Sequence, residues 1–437
     1  METEKIYWKL FKQKLISFKR QADGTLTGTG LLNPLLEKLK LLPMIYLQAK
    51  FYKQYENLGW WKGKRVANPF APPVGSRPQF RALKGLVKAQ LFKRPFPIAM
   101  TFAVTYKCQC RCIHCSAGKH VKAGVPELST VEAKKLIDVS QDLGVTIIAF
   151  TGGEPLLRSD IYALIAYVDQ KKAMPILFTN GLLLTDENAK RLADAGLYTL
   201  FTSLDSPIPA EHDSFRGMPG IFEAAVEGLK KVREQGVFVG VSSYAGRTAT
   251  GLGMYKRLHR LAQEIGVHNV ILFDSVPTGN LLKDTSELLT PEQREEITEY
   301  SEYIFKHSII PPLSSQSWQN SIEGSLSGIG CIAANIQYYV SAYGDVAPCD
   351  FTPLSFGNIR TESLKKIWDK MINHPAYNHR TSFCRMQNAA FRSAYIDPIP
   401  DNVTLPYPIE NLEPVDYRTA GGWRPSPAVE AADSLKL

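Results

Sequence analysis

The sequence predicts an α/β protein: a partial (β/α)6 TIM-like barrel with a basic helical amino-terminal segment and a small α+β auxiliary domain. Three observations predict this fold. Between residues 97 and 312, short apolar runs alternate six times with amphipathic helical patterns, several patterns begin with capping residues, and glycines stand where helices should end. Strand–helix units in series predict a parallel sheet with right-handed crossovers, and six units are too few to close a barrel.

The apolar runs are the predicted strands. They span 98–105, 145–151, 174–179, 198–204, 237–243 and 268–274. The helical patterns lie at about 130–143, 158–171, 185–195, 219–235, 254–265 and 291–306. Ser129 with Glu132 forms a capping box, and Thr290 before Pro291 is a second start signal. By analogy with complete barrels, functional groups should lie at the carboxyl ends of the strands.

The charge of the chain is unevenly distributed. Residues 1–100 hold 19 Lys+Arg against 5 Asp+Glu, a net charge of +14, whereas the remaining 337 residues have a net charge of −5. Aromatic and apolar residues fall on one helical arc of residues 5–20 and basic residues on the other, which predicts a helix; residues 35–55 and 80–91 have similar patterns. A helix with a basic arc opposite an aromatic arc suits binding to an anionic membrane surface. The alternative is that the apolar arcs pack on the rest of the protein.

Composition excludes several classes of protein. A hydrophobic content of 44% supports a sizeable core, and no apolar run reaches the roughly 18–20 residues needed to cross a bilayer. No secretory signal or nucleic-acid recognition motif is present, so we expect a cytoplasmic protein that does not bind nucleic acid and that associates at most peripherally with the inner membrane face. The predicted units are 1–96, 97–312, an auxiliary domain at 313–400 and a Pro-rich tail at 401–437.

Four of the seven cysteines fall within eight residues, which in a large non-secreted chain indicates metal binding and not disulfides. Cys108, Cys112 and Cys115 have C-x3-C-x2-C spacing after the first predicted strand. Three thiolates can hold three irons of a [4Fe–4S] cube and leave the fourth iron open to a ligand. The alternative is a structural zinc site with Cys110 or His114 as fourth ligand. Cys110 fits no cluster spacing and is interpreted as a bystander.

Further motifs follow the cysteines, one at the end of each successive predicted strand. Strand two ends in Thr-Gly-Gly-Glu-Pro, strand three in Thr-Asn-Gly and strand four in Ser-Leu-Asp-Ser, before the stretch His-Asp-Ser-Phe-Arg-Gly at 212–217. In this order the motifs resemble the radical SAM superfamily over roughly residues 97–312. The resemblance implies contacts with S-adenosylmethionine (SAM) from Gly152, Gly153, Glu154, Pro155, Asn180, Ser203, Asp205 and Arg216.

What the resemblance implies is a reductive cleavage of SAM. A reduced [4Fe–4S] cluster passes an electron to the sulfonium, methionine leaves, and a 5′-deoxyadenosyl radical abstracts hydrogen from a substrate. In the family, the Gly-Gly-Glu-Pro stretch receives the methionine amino group, and Arg216 is a candidate partner for the methionine carboxylate. Flavodoxin or ferredoxin is the expected electron donor.

The auxiliary domain contains the other three cysteines. The pattern Cys331-x12-Gly-x4-Cys349 resembles the start of a SPASM domain, which holds auxiliary iron–sulfur clusters in radical SAM enzymes. Only Cys384 follows, so the ligand count excludes two auxiliary clusters and allows one. Its fourth ligand would be Asp350, His374, His379 or the substrate. The alternative is three ordinary cysteines in a domain without a cluster.

The sequence therefore predicts a radical SAM enzyme. Relatives with SPASM-type domains most often modify peptides, which makes a peptide in a maturation pathway the first substrate prediction. Radical modification of a lipid, a cofactor precursor or another small molecule at a membrane surface is the alternative. A non-catalytic zinc or iron–sulfur protein is a remote third interpretation, since it leaves the SAM motifs without a role.

Overall fold

A computed structural model gives the fold of the chain. It describes residues 5–10, 13–20, 26–27, 55, 58–319, 330–381 and 383–418. The helix expected at 35–55 and most of the Pro-rich tail lie outside these residues. No helix in the described ranges is both long enough and apolar enough to cross a membrane.

The helix predicted over residues 5–20 is wrong. This stretch contains two antiparallel strands, β1 (Lys5–Leu10) and β2 (Gln13–Arg20), and β3 (Leu26–Thr27) pairs with β2. The stretch is rich in Ile, Tyr, Trp and Phe, which favour extended backbone, and short apolar patterns fit a strand as readily as a helix. The membrane-binding argument built on a helix at 5–20 therefore fails.

The next described segment begins with a hairpin of β4 (Gly59–Trp61) and β5 (Lys64–Val66). It continues into helix α1 (Arg77–Leu91), which confirms the helical pattern at 80–91. Ser76 caps the helix by accepting a hydrogen bond from the Gln79 N–H at 3.3 Å, and proline occupies the first turn.

The loop between β5 and α1 packs against one face of the central strands. Phe70 packs on the rings of Phe178 and Phe201, with centroids 6.2 and 5.9 Å away. The Thr199 hydroxyl donates a hydrogen bond to the carbonyl of Pro69 at 2.8 Å. This loop therefore docks on the sheet, although it lies outside the three helical patterns for which docking was the alternative.

The six predicted strand–helix units are confirmed. The strands are β6 (Ala99–Thr105), β7 (Ile147–Gly152), β8 (Met174–Thr179), β9 (Thr199–Ser203), β10 (Phe238–Ala245) and β11 (Asn269–Asp274). The helices are α2 (Thr130–Leu143), α3 (Ile161–Tyr167), α4 (Asp186–Asp194), α5 (Pro209–Arg216), α6 (Ile221–Glu234), α7 (Arg247–Gly251), α8 (Met254–Ile265) and α9 (Pro291–Lys306). Both start signals are used, as capping boxes of α2 and α9.

The auxiliary region is built from short elements. They are β12 (Leu313–Ser315), α10 (Gln316–Gln319), β13 (Gln337–Val340), β14 (Val346–Ala347), β15 (Leu354–Ser355), α11 (Leu364–Asn373), α12 (Ala389–Tyr395) and β16 (Tyr407–Pro408). Short 3-10 turns occur at Pro155–Leu157, Gly279–Leu281, Arg385–Gln387 and Ile409–Asn411.

The central sheet is larger than the six strands predicted. Its order is β12-β11-β10-β9-β8-β7-β6-β13-β14, parallel except for β14, and it does not close into a barrel. Strands β12 and β13 from the auxiliary region pair with β11 and β6, the two outer strands of the predicted set. Since exposed strand edges carry unpaired backbone groups, this pairing satisfies both edges and attaches the auxiliary region to the sheet. The domain division at 312 stays a prediction.

Side chains alternate between two apolar layers. One face of the strands packs against the surrounding helices, as Val104, Ile148 and Leu177 do. The other face encloses Ile147, Ile176 and the Phe70 loop. Because both faces are covered, the carboxyl ends of the strands remain as the place where loops can form a cavity.

Candidate functional site

The loop after β6 places the predicted cysteine triplet on one cavity. Cys108, Cys112 and Cys115 line a cavity of about 500 Å³ at the carboxyl ends of the strands. The loop is held by backbone hydrogen bonds to the end of α5, including Arg111 N–H to the Arg216 carbonyl at 2.9 Å. The three thiols therefore occupy the position where a parallel α/β sheet binds its ligands.

Cys110, which fits no cluster spacing, lies between two of the motif cysteines. Its thiol also lines the cavity and hydrogen-bonds to Cys108 and Cys112. These hydrogen bonds lower the pKa of Cys108 to about 7 and that of Cys112 to about 6. Burial raises the pKa of Cys115 to about 11. The hydrogen bonds from Cys110 thus favour the thiolate form of Cys108 and Cys112, and thiolate is the form that binds iron.

Three thiolates of one loop suit an iron–sulfur cube, which takes one thiolate per iron, whereas a structural zinc site needs a fourth ligand. Within the described ranges, no group of three or more His, Cys, Asp and Glu side chains is arranged to hold a single metal ion. His114, a fourth ligand in the zinc interpretation, instead stacks on Phe215 with ring centroids 4.6 Å apart.

Two glycines at the end of β7 bring the second motif against the cysteine loop. A Cβ on Gly152 would lie 2.1 Å from the Thr105 carbonyl oxygen, and one on Gly153 would lie 2.3 Å from that of Lys107. Gly153 N–H donates to the Thr105 carbonyl at 2.7 Å. No larger residue fits either position, so the double glycine is required for this close approach.

Glu154 occupies a different place from the one expected. It is fully buried and does not line the cavity, and neither does Pro155. Its Oε1 accepts hydrogen bonds from the Thr179 hydroxyl at 2.8 Å and the Leu156 N–H at 3.0 Å, and its Oε2 accepts one from the Asn180 N–H at 2.8 Å. Burial raises its pKa despite these donors. In this structure the carboxyl group ties the end of β7 to the end of β8.

Asn180 and Ser203, two of the residues expected to contact SAM, line the cavity. The Asn180 amide donates to the Cys110 sulfur at 3.4 Å and to Gln109 Oε1 at 3.3 Å. The third motif therefore reaches the cysteine loop as well as the cavity.

Asp205 and Arg216 form a buried pair beside the cysteines. Arg216 Nε donates to Asp205 Oδ2 at 2.6 Å, and Arg216 Nη1 donates to the Cys112 sulfur at 3.7 Å. The Tyr244 N–H donates to Asp205 Oδ1 at 3.0 Å. Burial acts to raise the pKa of Asp205, but the guanidinium holds it below its ordinary value. Arg216 thus already hydrogen-bonds to an aspartate and to a cysteine, in addition to its expected role as partner of the methionine carboxylate.

The His-Asp-Ser-Phe-Arg-Gly stretch is helix α5 and its end. His212 Nδ1 accepts the Asp205 N–H at 3.2 Å, and Gly217, with φ 61°, ends the helix against Arg111. This explains why the stretch follows strand four: it positions the end of that strand and the cysteine loop together.

The cavity has further lining residues beyond the cysteine and SAM motifs, including the carboxylate that follows the sixth predicted strand. Tyr244 at the end of β10 lines it and packs on His114, with ring centroids 4.8 Å apart. Asp274 at the end of β11 also lines it and accepts a hydrogen bond from the Ser317 hydroxyl at 2.6 Å. Their positions at strand ends were the available signal, but a single residue without a motif carries little information in one sequence.

The auxiliary cysteines are close enough to one another to interact electrostatically. Cys331, Cys349 and Cys384 are free thiols. Burial raises the pKa of Cys349 to about 12. Burial also raises the pKa of Cys384, and the nearby Cys331 and Cys349 raise it further. Asp350, beside Cys349, lines the cavity, and Phe351 contacts Phe273 with ring centroids 5.3 Å apart. The auxiliary site therefore adjoins the far wall of the main cavity.

The three side chains predicted as fourth ligand of an auxiliary cluster differ in the hydrogen bonds that they already make. Asp350 Oδ2 accepts from the Gln337 amide at 3.2 Å, while its Oδ1 has no hydrogen-bond partner among the described residues. His374 Nδ1 accepts the Ala376 N–H at 3.2 Å. His379 Nε2 shares a hydrogen bond of 2.9 Å with the Tyr417 hydroxyl.

Comparison with known proteins gives two family matches. Residues 102–250 match the radical SAM superfamily, and residues 331–392 match SPASM, an iron–sulfur cluster-binding domain. These ranges contain the main and auxiliary cysteines, respectively.

Individual proteins are similar over a longer stretch. An AdoMet-dependent heme synthase of Nitratidesulfovibrio vulgaris is 32% identical over 289 residues, covering 62% of this chain and 78% of that protein. The antilisterial bacteriocin subtilosin biosynthesis protein AlbA of Bacillus subtilis is 26% identical over 294 residues, 64% of this chain and 61% of that protein. The crystal structure of Streptococcus suis SuiB bound to precursor peptide SuiA superposes with TM-score 0.53 at 14% identity, covering 81% of this chain and 85% of that one, a likeness of fold.

Proposed function

This chain belongs to the radical SAM superfamily, and on that premise we propose that Cys108, Cys112 and Cys115 hold its [4Fe–4S] cluster. It is an enzyme whose cofactors are this cluster, SAM and an auxiliary iron–sulfur cluster in its SPASM region. When bound, the cluster and SAM together supply a 5′-deoxyadenosyl radical that abstracts hydrogen from a substrate. Flavodoxin or ferredoxin as electron donor stays a prediction.

The residues around the cavity have different roles in this proposal. Gly152 and Gly153 leave the end of β7 without side chains, so a ligand can approach the backbone there. Asn180 and Ser203 offer polar groups at the next two strand ends. Cys331, Cys349 and Cys384 would hold the auxiliary cluster, which would supply a one-electron redox centre next to the cavity.

One observation carries the proposal: three thiols of a single loop share one cavity with the ends of β7, β8 and β9. The test is anaerobic reconstitution with iron and sulfide, followed by reduction in the presence of SAM. We expect a brown protein that forms 5′-deoxyadenosine, and Cys112→Ala should abolish that product. A colourless protein that binds zinc and leaves SAM intact would overturn the proposal.

We propose a peptide as the substrate. The subtilosin biosynthesis protein supports this choice, and so does the charge of the cavity wall. Among the described lining residues, Arg216 is paired with Asp205, His114 and His120 have pKa values lowered by burial to about 4, and the remaining cation is the exposed Arg111. A peptide needs hydrogen bonds and apolar contacts, which this wall provides, whereas a substrate with several carboxylates needs more cations.

A porphyrin on the route to haem is the second candidate, because the haem synthase is more similar in sequence than the subtilosin protein. The two candidates can be separated by mass spectrometry of reactions that contain reduced enzyme and SAM. One reaction contains iron coproporphyrin III, the compound in the name of a similar synthase of Methanosarcina barkeri, and the other contains short peptides encoded beside the gene. A mass change in a peptide supports the first candidate, and a mass change in the porphyrin alone replaces it with the second.

A further inference from the structure

The outer face of α1 exposes a mixed apolar and basic surface. Phe80, Lys84, Lys88 and Leu91 are spaced four, four and three residues apart and so lie along one side of the helix, and Phe92 follows directly. Phe80 is 63% exposed, Leu91 55% and Phe92 67%. We call these five residues the outer face of α1.

The opposite side of α1 packs on the protein. Arg81 donates a hydrogen bond to the carbonyl of Gln141 at the end of α2, and Ala89 is buried. A Cβ on Gly85 would lie 3.9 Å from the Ile98 side chain. The outer face is thus the side turned away from the sheet.

Exposed bulky aromatics concentrate near this helix. Among the described residues, the Phe and Trp side chains that are largely exposed are Trp60, Phe80 and Phe92. Lys64 Nζ, in the hairpin that contains Trp60, donates to the Gly75 carbonyl at 3.0 Å, which places the hairpin beside the start of α1. Exposed bulky apolar groups collected in one region mark a binding surface more often than scattered ones do.

The chain along this surface is basic. Residues 77–96 contain six Lys and Arg and no Asp or Glu, and of these Arg94 pairs with Asp369 of α11. Lys84 and Lys88 are exposed, and in the described part of the chain neither forms a salt bridge with a carboxylate. Lys88 instead lies 6.0 Å from the Phe96 ring centroid. The partner of this surface should therefore carry negative charge and accept apolar side chains.

We propose that the outer face of α1 binds an anionic phospholipid surface, with the aromatic rings entering the headgroup–acyl boundary and the lysines facing the phosphates. Interfacial helices bind through this combination of buried apolar area and attraction to anionic lipid. A second copy of the chain fits less well, because a symmetric dimer through this face would place Lys84 and Lys88 against their own equivalents. The proposal is independent of the reaction proposed above.

The test is co-sedimentation of the reconstituted protein with vesicles of phosphatidylcholine alone and with vesicles containing one quarter phosphatidylglycerol. We expect binding to the anionic vesicles, weaker binding at high salt, and little binding to the neutral ones. Lys84→Gln with Lys88→Gln should weaken anionic binding by about thirtyfold, since each lysine near such a surface contributes about 1 kcal/mol. Phe80→Ser with Phe92→Ser should weaken it as well.

A matched control lies on α2, where Val131 is 77% exposed and Lys135, one turn further along, is also exposed. Val131→Ser with Lys135→Gln should bind vesicles like the wild type. Iron content and formation of 5′-deoxyadenosine show whether each variant is intact. No binding at low salt, equal binding to both vesicles, or equal weakening by the control would overturn the proposal. A wild-type dimer that Phe80→Ser with Phe92→Ser dissociates, without vesicle binding, would assign the face to a second copy.

Discussion

Arg216 and Asp205 form a buried ion pair at the end of β9, with Arg216 Nε 2.6 Å from Asp205 Oδ2. The same guanidinium donates from Nη1 to the Cys112 sulfur at 3.7 Å. Asp205 thus holds the arginine in an orientation that directs positive charge at one of the proposed cluster ligands. Hydrogen bonds to ligand sulfurs and net charge are among the factors that set the potential of an iron–sulfur cluster.

We expect Arg216→Gln to make the reduction potential of the main cluster more negative, because the reduced cluster loses a charge-assisted hydrogen bond. A redox titration followed by electron paramagnetic resonance measures this. The double variant Arg216→Gln with Asp205→Asn avoids leaving a buried carboxylate unpaired. The control is Arg191→Gln. Arg191 is on α4, and its guanidinium lies 3.8 Å from the ring centroid of Tyr162 on α3. An unchanged potential with SAM binding weakened by about tenfold or more would assign Arg216 to the methionine carboxylate instead.

Glu154→Gln should destabilise the protein by about 1–3 kcal/mol, because an amide NH2 group would face backbone N–H or hydroxyl donors that the carboxylate now satisfies. The thermal midpoint of the reconstituted protein measures the effect. Glu227→Gln, which removes a surface pair with Lys230, should change the midpoint far less. If Glu154→Gln instead leaves the midpoint unchanged and weakens SAM binding, the carboxylate contacts the methionine amino group as the family resemblance implies.

Cys349→Ala and Cys384→Ala should each remove the auxiliary cluster and lower the iron content toward the roughly four atoms per chain of the main cube. Formation of 5′-deoxyadenosine should continue in both variants because the main cysteine loop is untouched. Iron assay and chromatography of the nucleoside products test this. Full iron retention in both variants would mean that these are ordinary cysteines.

Protein stability should fall as pH decreases from 7.5 to 5.5. His268 packs on Phe238 and accepts the Val239 N–H at 3.1 Å, and burial, followed by the charge of Arg233, lowers its pKa to about 4. An unfolded histidine with pKa of about 6.5 takes up a proton in this window while the folded one stays neutral, so stability present above about pH 6.5 is lost below it.

Replacing His268 tests this linkage. His268→Gln should reduce the slope of unfolding free energy against pH by at most about 1.4 kcal/mol per pH unit, since one proton fewer is taken up on unfolding. Thermal or denaturant unfolding at several pH values measures the slope, with the exposed His307→Gln as control. Identical slopes in wild type and His268→Gln would contradict the prediction.

The six strand–helix units could be predicted because their signals are local. Buried parallel strands are continuous apolar runs, and the Ser129 and Thr290 boxes mark helix starts within four residues of chain. The error at residues 5–20 has the opposite cause. A short aromatic and basic pattern fits both the helix period of 3.6 residues and the strand period of two. Backbone hydrogen bonds between β1 and β2 decide the outcome, and the pattern does not encode them.

The candidate site shows the same limit. The spacing of Cys108, Cys112 and Cys115 predicted a ligand set, but spacing carries no information on which side chains approach that set from other strands. The thiol of Cys110 between Cys108 and Cys112 follows from the path of the loop in three dimensions. The inward turn of Glu154, away from the cavity, likewise depends on donors that β8 brings to it.

Residue order alone was enough to derive the six-unit sheet, the cysteine triplet and the family resemblance, because each depends on periodicity or spacing over a short stretch. The fold alone decides three other matters: that β12 and β13 complete the sheet edges, that Arg216 joins Asp205 to Cys112, and that α1 turns its Phe and Lys residues outward. These depend on contacts between residues far apart in the chain. Such contacts arise only when burial of apolar surface brings distant segments together.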